Sequence, residues 1–276
     1  MIVNKLPVMK KSISFLAVIL CLGLVPASAQ FGKPGGSGPD NALNKVFGTN
    51  LNFSATMNMQ VKMPDAQDSD ITMSSKIYFA GGNSRTEMDM TTIKGSKMPP
   101  HAADQMKAMG MDQMISISRN DTKTAYLIYP GLGSYAKLTA PKADQGTNDS
   151  KVTKTELGRE TVDGHPCVKN KYTVTNTKTG ENVVMTTWNA TDLKNYPIKI
   201  DMESPDAATG KKSPVTTLHF AGINTARPAA ALFEPPTGYR VYTDVQAMVQ
   251  TEMMKKMGGG TPGMPPGHPT VPANHP

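Results

Sequence analysis

His165-Pro166-Cys167 places an imidazole and a thiol two residues apart, the raw material for a cysteine nucleophile and its base. Such a pair needs both side chains within hydrogen-bond reach and a third group to orient the imidazole. The competing reading is a half-buried thiol that begins a strand just after a tight turn. Gly131-Leu132-Gly133-Ser134-Tyr135-Ala136 has the outline of a dinucleotide-binding loop, but that loop works only where a helix N-terminus then meets the pyrophosphate. Here Lys137-Leu138-Thr139-Ala140-Pro141 follows, short, strand-like and stopped by proline. His101, His219, His268 and His275 lack the short ligand spacings of a zinc site. No nucleophile elbow, paired zinc histidines or phosphate loop occurs. The expectation is therefore a protein that is not an enzyme, with no catalytic residue, no metal site and no cofactor.

Methionine is the unusual component, 20 residues in 276. Met57-x-Met59, Met88-x-Met90 and Met109-x-Met111 each bring two thioethers close together. On a strand, residues two apart share a face about 7 Å apart. Three uses fit. Methionine can fill a core, because its unbranched chain packs adaptably. It can line a deformable apolar cavity. Or it can capture Cu(I), which soft thioethers select; only Met98 to Met114, with His101, crowds sulfur near an imidazole.

These residues need elements to position them. Lys5, Lys10 and Lys11, the apolar run Ile13–Val25, Pro26 and then Ala27-Ser28-Ala29 read as a signal peptide over 1–29, cleaved after Ala29. The apolar run is too short for a membrane span. Only Cys167 then remains, so no internal disulfide can form. Three of the 29 Lys and Arg leave with the leader against 22 acidic residues, so the charge of +7 falls to about +4, too mild and scattered for nucleic acid. Residues 30–45 read as a flexible leader, 46–257 as a single β-rich domain, and 258–276 as a disordered Gly/Pro-rich tail.

Within the domain, Phe53, Ala55, Met57, Met59, Val61 and Met63 alternate with polar residues, the period of a half-buried strand. Ile71–Phe79 repeats the pattern, and Gly81-Gly82-Asn83 turns it into Thr86, Met88 and Met90. Further strands read at Met114–Ser118, Thr124–Tyr129, Ser134–Leu138, Val152–Val162, Cys167–Asn176, Asn182–Trp188, Tyr196–Glu203 and Pro214–Ile223. Asp163-Gly164 reads as a type I′ hairpin turn. Helices are expected over Pro99–Gly110 and from Asp244, its N-cap, to Met257. The fold class is mainly β with few helices: a strongly curved antiparallel sheet (a half-barrel) with short lid helices, or alternatively a closed β-barrel.

From Gly158-Arg159-Glu160-Thr161-Val162-Asp163-Gly164-His165-Pro166-Cys167, through Tyr172, Trp188-Asn189-Ala190-Thr191-Asp192-Leu193 and Tyr196-Pro197-Ile198-Lys199, to Leu232-Phe233-Glu234-Pro235-Pro236-Thr237-Gly238-Tyr239, the chain resembles an uncharacterised family of secreted bacterial proteins, a domain of unknown function. Its layout is also similar to the LolA/LolB group. That resemblance implies a curved sheet closed by short helices around an apolar hollow for lipoprotein acyl chains. It carries no residue-by-residue signature, and fold does not settle function.

The leading expectation is an exported, periplasmic or secreted, carrier or sensor for an apolar ligand, a lipid or lipoprotein acyl chain. An inward stripe of Phe53, Met57, Met59, Met73, Ile77, Met88 and Met90 would line the hollow, and Met106 and Met109 would sit on a lid. The rivals are a partner-binding envelope protein with a filled core, a Cu(I)-handling protein and, last, a hydrolase built on Cys167.

Overall fold

The alternation from Phe53 to Val61 becomes β1 (Asn52–Lys62), with Phe53, Ala55 and Met57 buried and Thr56 and Asn58 exposed. The computed structural model describes residues 51–62, 70–95, 99, 101–139, 150–176, 182–203 and 215–256. The expected signal peptide and leader, Met63, Met98, most of the polar link after Pro141 and the Gly/Pro-rich tail lie outside the described residues.

Eleven further strands follow: β2 (Ile71–Ala80), β3 (Asn83–Asp89), β4 (Gln113–Arg119), β5 (Thr124–Tyr129), β6 (Ser134–Thr139), β7 (Ser150–Val162), β8 (His165–Asn176), β9 (Asn182–Ala190), β10 (Tyr196–Glu203), β11 (Val215–Asn224) and β12 (Arg240–Tyr242). They form one large, curved, open sheet in the order β12-β6-β5-β4-β3-β2-β1-β11-β10-β9-β8-β7. The closed barrel is overturned, because β12 and β7 end the sheet at opposite edges. Neighbours are antiparallel except at one edge, where β12 runs parallel to β6. That three-residue strand is too short to show a period in the sequence.

Curvature has local causes. Single extra residues interrupt the ladders in β7 near Gly158, in β10 between Pro197 and Lys199, and in β11 opposite Ser54–Thr56. Such bulges bend a strand and increase its twist. In β11 the irregular stretch holds Gly222, at φ +61°. The Asp163-Gly164 turn has φ of +51° and +82°, as a type I′ hairpin requires.

Helix α1 (Ala102–Met109) starts later than Pro99, since His101 adopts a left-handed φ of 64° and the Ala102 N–H donates to Pro99 O across a turn. Gly110, at φ +73°, ends it. Helix α2 (Val245–Lys256) is capped by Asp244, whose Oδ1 accepts from the Ala247 N–H at 2.7 Å. Gly110 and Gly131 touch backbone to backbone: a Cβ on Gly110 would lie 2.6 Å from Gly131 O, and Lys256 Nζ reaches the same spot. The ends of both helices therefore converge on one loop.

Candidate functional site

The sheet register fixes which side chains share its inner face. Phe53 faces Phe79, Ala55 faces Ile77, Met57 faces Ser75 and Met59 faces Met73 across β1 and β2. Met88 of β3 lies opposite Ser75, and Met114 of β4 opposite Met88. On the other side of β1, Met57 faces Phe220 and Met59 faces Leu218. Met57, Met59, Met73, Met88 and Met114 thus form one continuous patch. The stripe from Phe53 to Met88 shares this face. Met90 opens the short 3-10 turn Met90–Thr92 after β3 and packs, half-buried, against the same cluster.

One part of this face packs Phe53, Met57, Ile77, Phe79, Met185, Ile200, Leu218 and Phe220 together. The Phe53 ring stacks on Phe79 at 5.1 Å and meets Tyr196 at 5.1 Å. The other part joins Met73, Met88, Met114, Tyr129 and Leu132 to Met248 of α2, with Val245 and Val249 beside it. Met59 packs against both. Met106 is buried on α1, which packs on the Met90–Thr92 turn, and Met109 is half-buried; Met111, just past the helix, packs against the inner cluster.

Helix α2 is held down by a polar latch. Glu252, 3 % exposed, accepts from Arg240 Nε at 2.7 Å, from a second Arg240 nitrogen, from the Tyr242 hydroxyl at 2.5 Å and from Lys255 Nζ at 3.3 Å. Burial alone would push its carboxyl up, but these donors outweigh burial and hold it at about 2. The latch ties the middle of the helix to edge strand β12.

Toward the β7 edge, on β8 and β9, the inner face turns polar. Asn170, Thr187 and Asn189 are 1 %, 0 % and 7 % exposed, yet Asn170 Oδ1, Thr187 Oγ1 and Asn189 Oδ1 have no hydrogen-bond partner. Leaving a buried polar atom unsatisfied costs about 1–3 kcal/mol, so three together need an explanation. Periodicity did not single them out, because polar residues inside a strand pattern read as outward-facing.

The outer face carries a separate constellation. Trp188 is flanked by Lys199 Nζ at 4.2 Å and Lys169 Nζ at 4.7 Å from its ring centre, and its indole N–H donates to Glu160. That bond and the Lys169 ion pair hold the Glu160 carboxyl below its ordinary value. Nearby, Asp163, His165, Leu193, Ile198, His219 and Ile223 contribute to the walls of a depression of about 340 Å³. His165 Nδ1 lies 2.7 Å from Asp192, and His219 Nε2 bonds Asp163. A second depression, of about 450 Å³, has Asn58, Met59, Gln60, Met73, Ser74, Thr217 and His219 among its lining residues.

Cys167, in β8, packs with Trp188, Ala190 and Ile198 at this end of the sheet. Its thiol donates to the backbone carbonyl of His165 at 3.3 Å, and burial pushes its pKa up, the reverse of an activated nucleophile. The His165 ring pairs with Asp192 instead. For copper, the His101 side chain is 80 % exposed and pairs with Asp104. Among the described residues no three His, Cys, Asp or Glu side chains gather as a metal site. No helix among them is long and apolar enough to cross a membrane.

Residues 53–225 match the model of a domain of unknown function, DUF4412. No curated protein matches the chain. Among solved structures, it is similar to a LolA superfamily protein from Nitrosomonas europaea, at 10% identity and a TM-score of 0.34 over 71% of this chain and 96% of that one. It is also similar to the lipoprotein LppX of Mycobacterium tuberculosis (11% identity, TM-score 0.33, 69% of this chain and 94% of that one). A third is a putative outer membrane lipoprotein-sorting protein domain from Vibrio parahaemolyticus (13% identity, TM-score 0.29, 78% and 96%).

Proposed function

This chain belongs to the DUF4412 family, and on that premise we propose that it is an exported, non-catalytic carrier or sensor that holds an apolar ligand, a lipid or a lipoprotein acyl chain, against the inner face of its sheet. The observation that carries the reading is the continuity of the methionine patch across four neighbouring strands. A core built for a single rigid packing favours side chains with few rotamers, such as leucine, isoleucine, valine and phenylalanine. A patch of unbranched, polarisable thioethers re-forms around variable apolar shapes instead. Helix α2 lies on this patch through Met248, Val245 and Val249, and the Arg240–Glu252 ion pair ties it to β12. Export rests on the basic, apolar and small-residue order of the first 29 residues.

The test is native mass spectrometry of protein purified from its own host, with uptake of a fluorescent fatty-acid probe. Retained lipid and saturable uptake are expected, and Met59→Glu, at a half-buried position in the patch, abolishes both. Clean protein that takes up no probe overturns the reading.

One observation favours a second reading. Phe53, Ile77, Phe79 and Met88 are each at most 3 % exposed, as in a face already packed. On that reading the protein is a partner-binding envelope component with a filled core, and the same experiment returns no ligand.

A further inference from the structure

One row of residues runs across the inner face, strand by strand: Met73 faces Met59, Met59 faces Leu218, Leu218 faces Ile200, Ile200 faces Thr187, and Thr187 faces Asn170. Four strand spacings separate Met73 from Thr187, about 19 Å. The row is apolar through Ile200 and polar from Thr187 onward, and Asn189 shares that face, two residues along β9. An apolar track with one polar end has the outline of an extended amphiphile lying across the strands.

We propose that Asn170, Thr187 and Asn189 form a head-group subsite that selects neutral amphiphiles whose heads donate hydrogen bonds, with hydroxyl or amide groups, over anionic ones. The proposal rests on the apolar-carrier reading and names the class of ligand. Its basis is the chemistry of the three unpartnered atoms. Asn170 Nδ2 already donates to Val168 O at 3.3 Å, so the amide has its carbonyl oxygen left to offer, and that atom only accepts. Asn189 Oδ1 likewise only accepts, and Thr187 Oγ1 accepts or donates. Hydroxyl or amide donors satisfy all three. A carboxylate or phosphate brings acceptors alone, leaves both asparagine oxygens unpaired and adds a buried charge.

The charges around the subsite do not favour an anion. On this face Glu156 lies opposite Asn170, and Lys154 lies opposite Tyr172 with its Nζ 5.8 Å from that ring, one charge of each sign. Lys169 and Lys199 flank Trp188 on the other face of the sheet.

The experiment is calorimetric titration of the purified full-length chain with 1-monodecanoylglycerol and with decanoate. Both are kept below their micelle concentrations, at a pH where the acid is ionised. The two probes share an acyl chain and differ in the head. The glycerol ester is expected to bind about tenfold tighter or more, since every 1.4 kcal/mol is tenfold. Thr187→Val, which keeps the side-chain shape, and Asn170→Leu should each cut that preference at least about threefold, with decanoate affinity unchanged. If Asn170→Leu does not fold, Thr187→Val alone carries the test. Equal affinity for the two probes, tighter decanoate binding, or a preference unmoved in the folded variants overturns the subsite and leaves the carrier reading standing. Binding of neither probe overturns both.

Discussion

Replacing Glu252 by glutamine isolates what fastens α2 to the sheet. In the fold its carboxyl sits at about 2, against 4.5 for an ordinary glutamate. Since a unit of pKa is worth about 1.4 kcal/mol, a depression of this size corresponds to at most about 3 kcal/mol of preference for the folded state. Arg240 and Lys255 are about half exposed, so water already screens the ion pairs and the expected loss falls to about 1–2 kcal/mol. Because the pKa is lowered on folding, the contribution is complete above about 4.5 and disappears as the pH falls through about 2. Glutamine lacks it at every pH. Urea unfolding followed by Trp188 fluorescence and far-UV circular dichroism should show the wild type more stable by that amount at neutral pH. The two proteins should converge near pH 2. Hydrogen exchange should place the extra opening in residues 245–256. A variant as stable as wild type at neutral pH, or a gap that persists undiminished near pH 2, would refute the latch.

Gly110→Ala should be among the most damaging small substitutions. The added Cβ meets Gly131 backbone at 2.6 Å from a left-handed conformation, so a loss of about 2 kcal/mol or more is expected by thermal melting. Gly164→Ala, strained but with open space around its Cβ, should cost only about 1 kcal/mol. Cys167 should resist alkylation in the native protein at mildly alkaline pH and react fully in urea, because its thiol is buried and its pKa raised. Rapid native alkylation would show that this end of the sheet opens. Trp188→Phe removes the bond that most lowers the Glu160 carboxyl, and a titration of Glu160 by NMR should move upward; an unmoved value would deny the contact.

The strands were legible because the inner face is read every second residue, and burial in β1, β2 and β3 follows that period. Left-handed turns announced themselves through Asp163-Gly164 and Gly110, where the backbone needs residues that tolerate positive φ. Methionine spacing put Met57 and Met59 on one face of their strand, while the alignment of Met73 and Met88 with them came from strand register. Other features depended on partners distant in the chain. That Met114 completes the patch is a matter of register between β3 and β4. The latch joins an edge strand of three residues to a helix with charges of both signs, a pairing no period announces. Asn170, Thr187 and Asn189 read as ordinary polar strand residues in the sequence, yet the fold buries all three. Periodicity is local and survives in one dimension. Desolvation is set by neighbours distant in the chain, so only the tertiary structure decided which polar groups were buried without a partner.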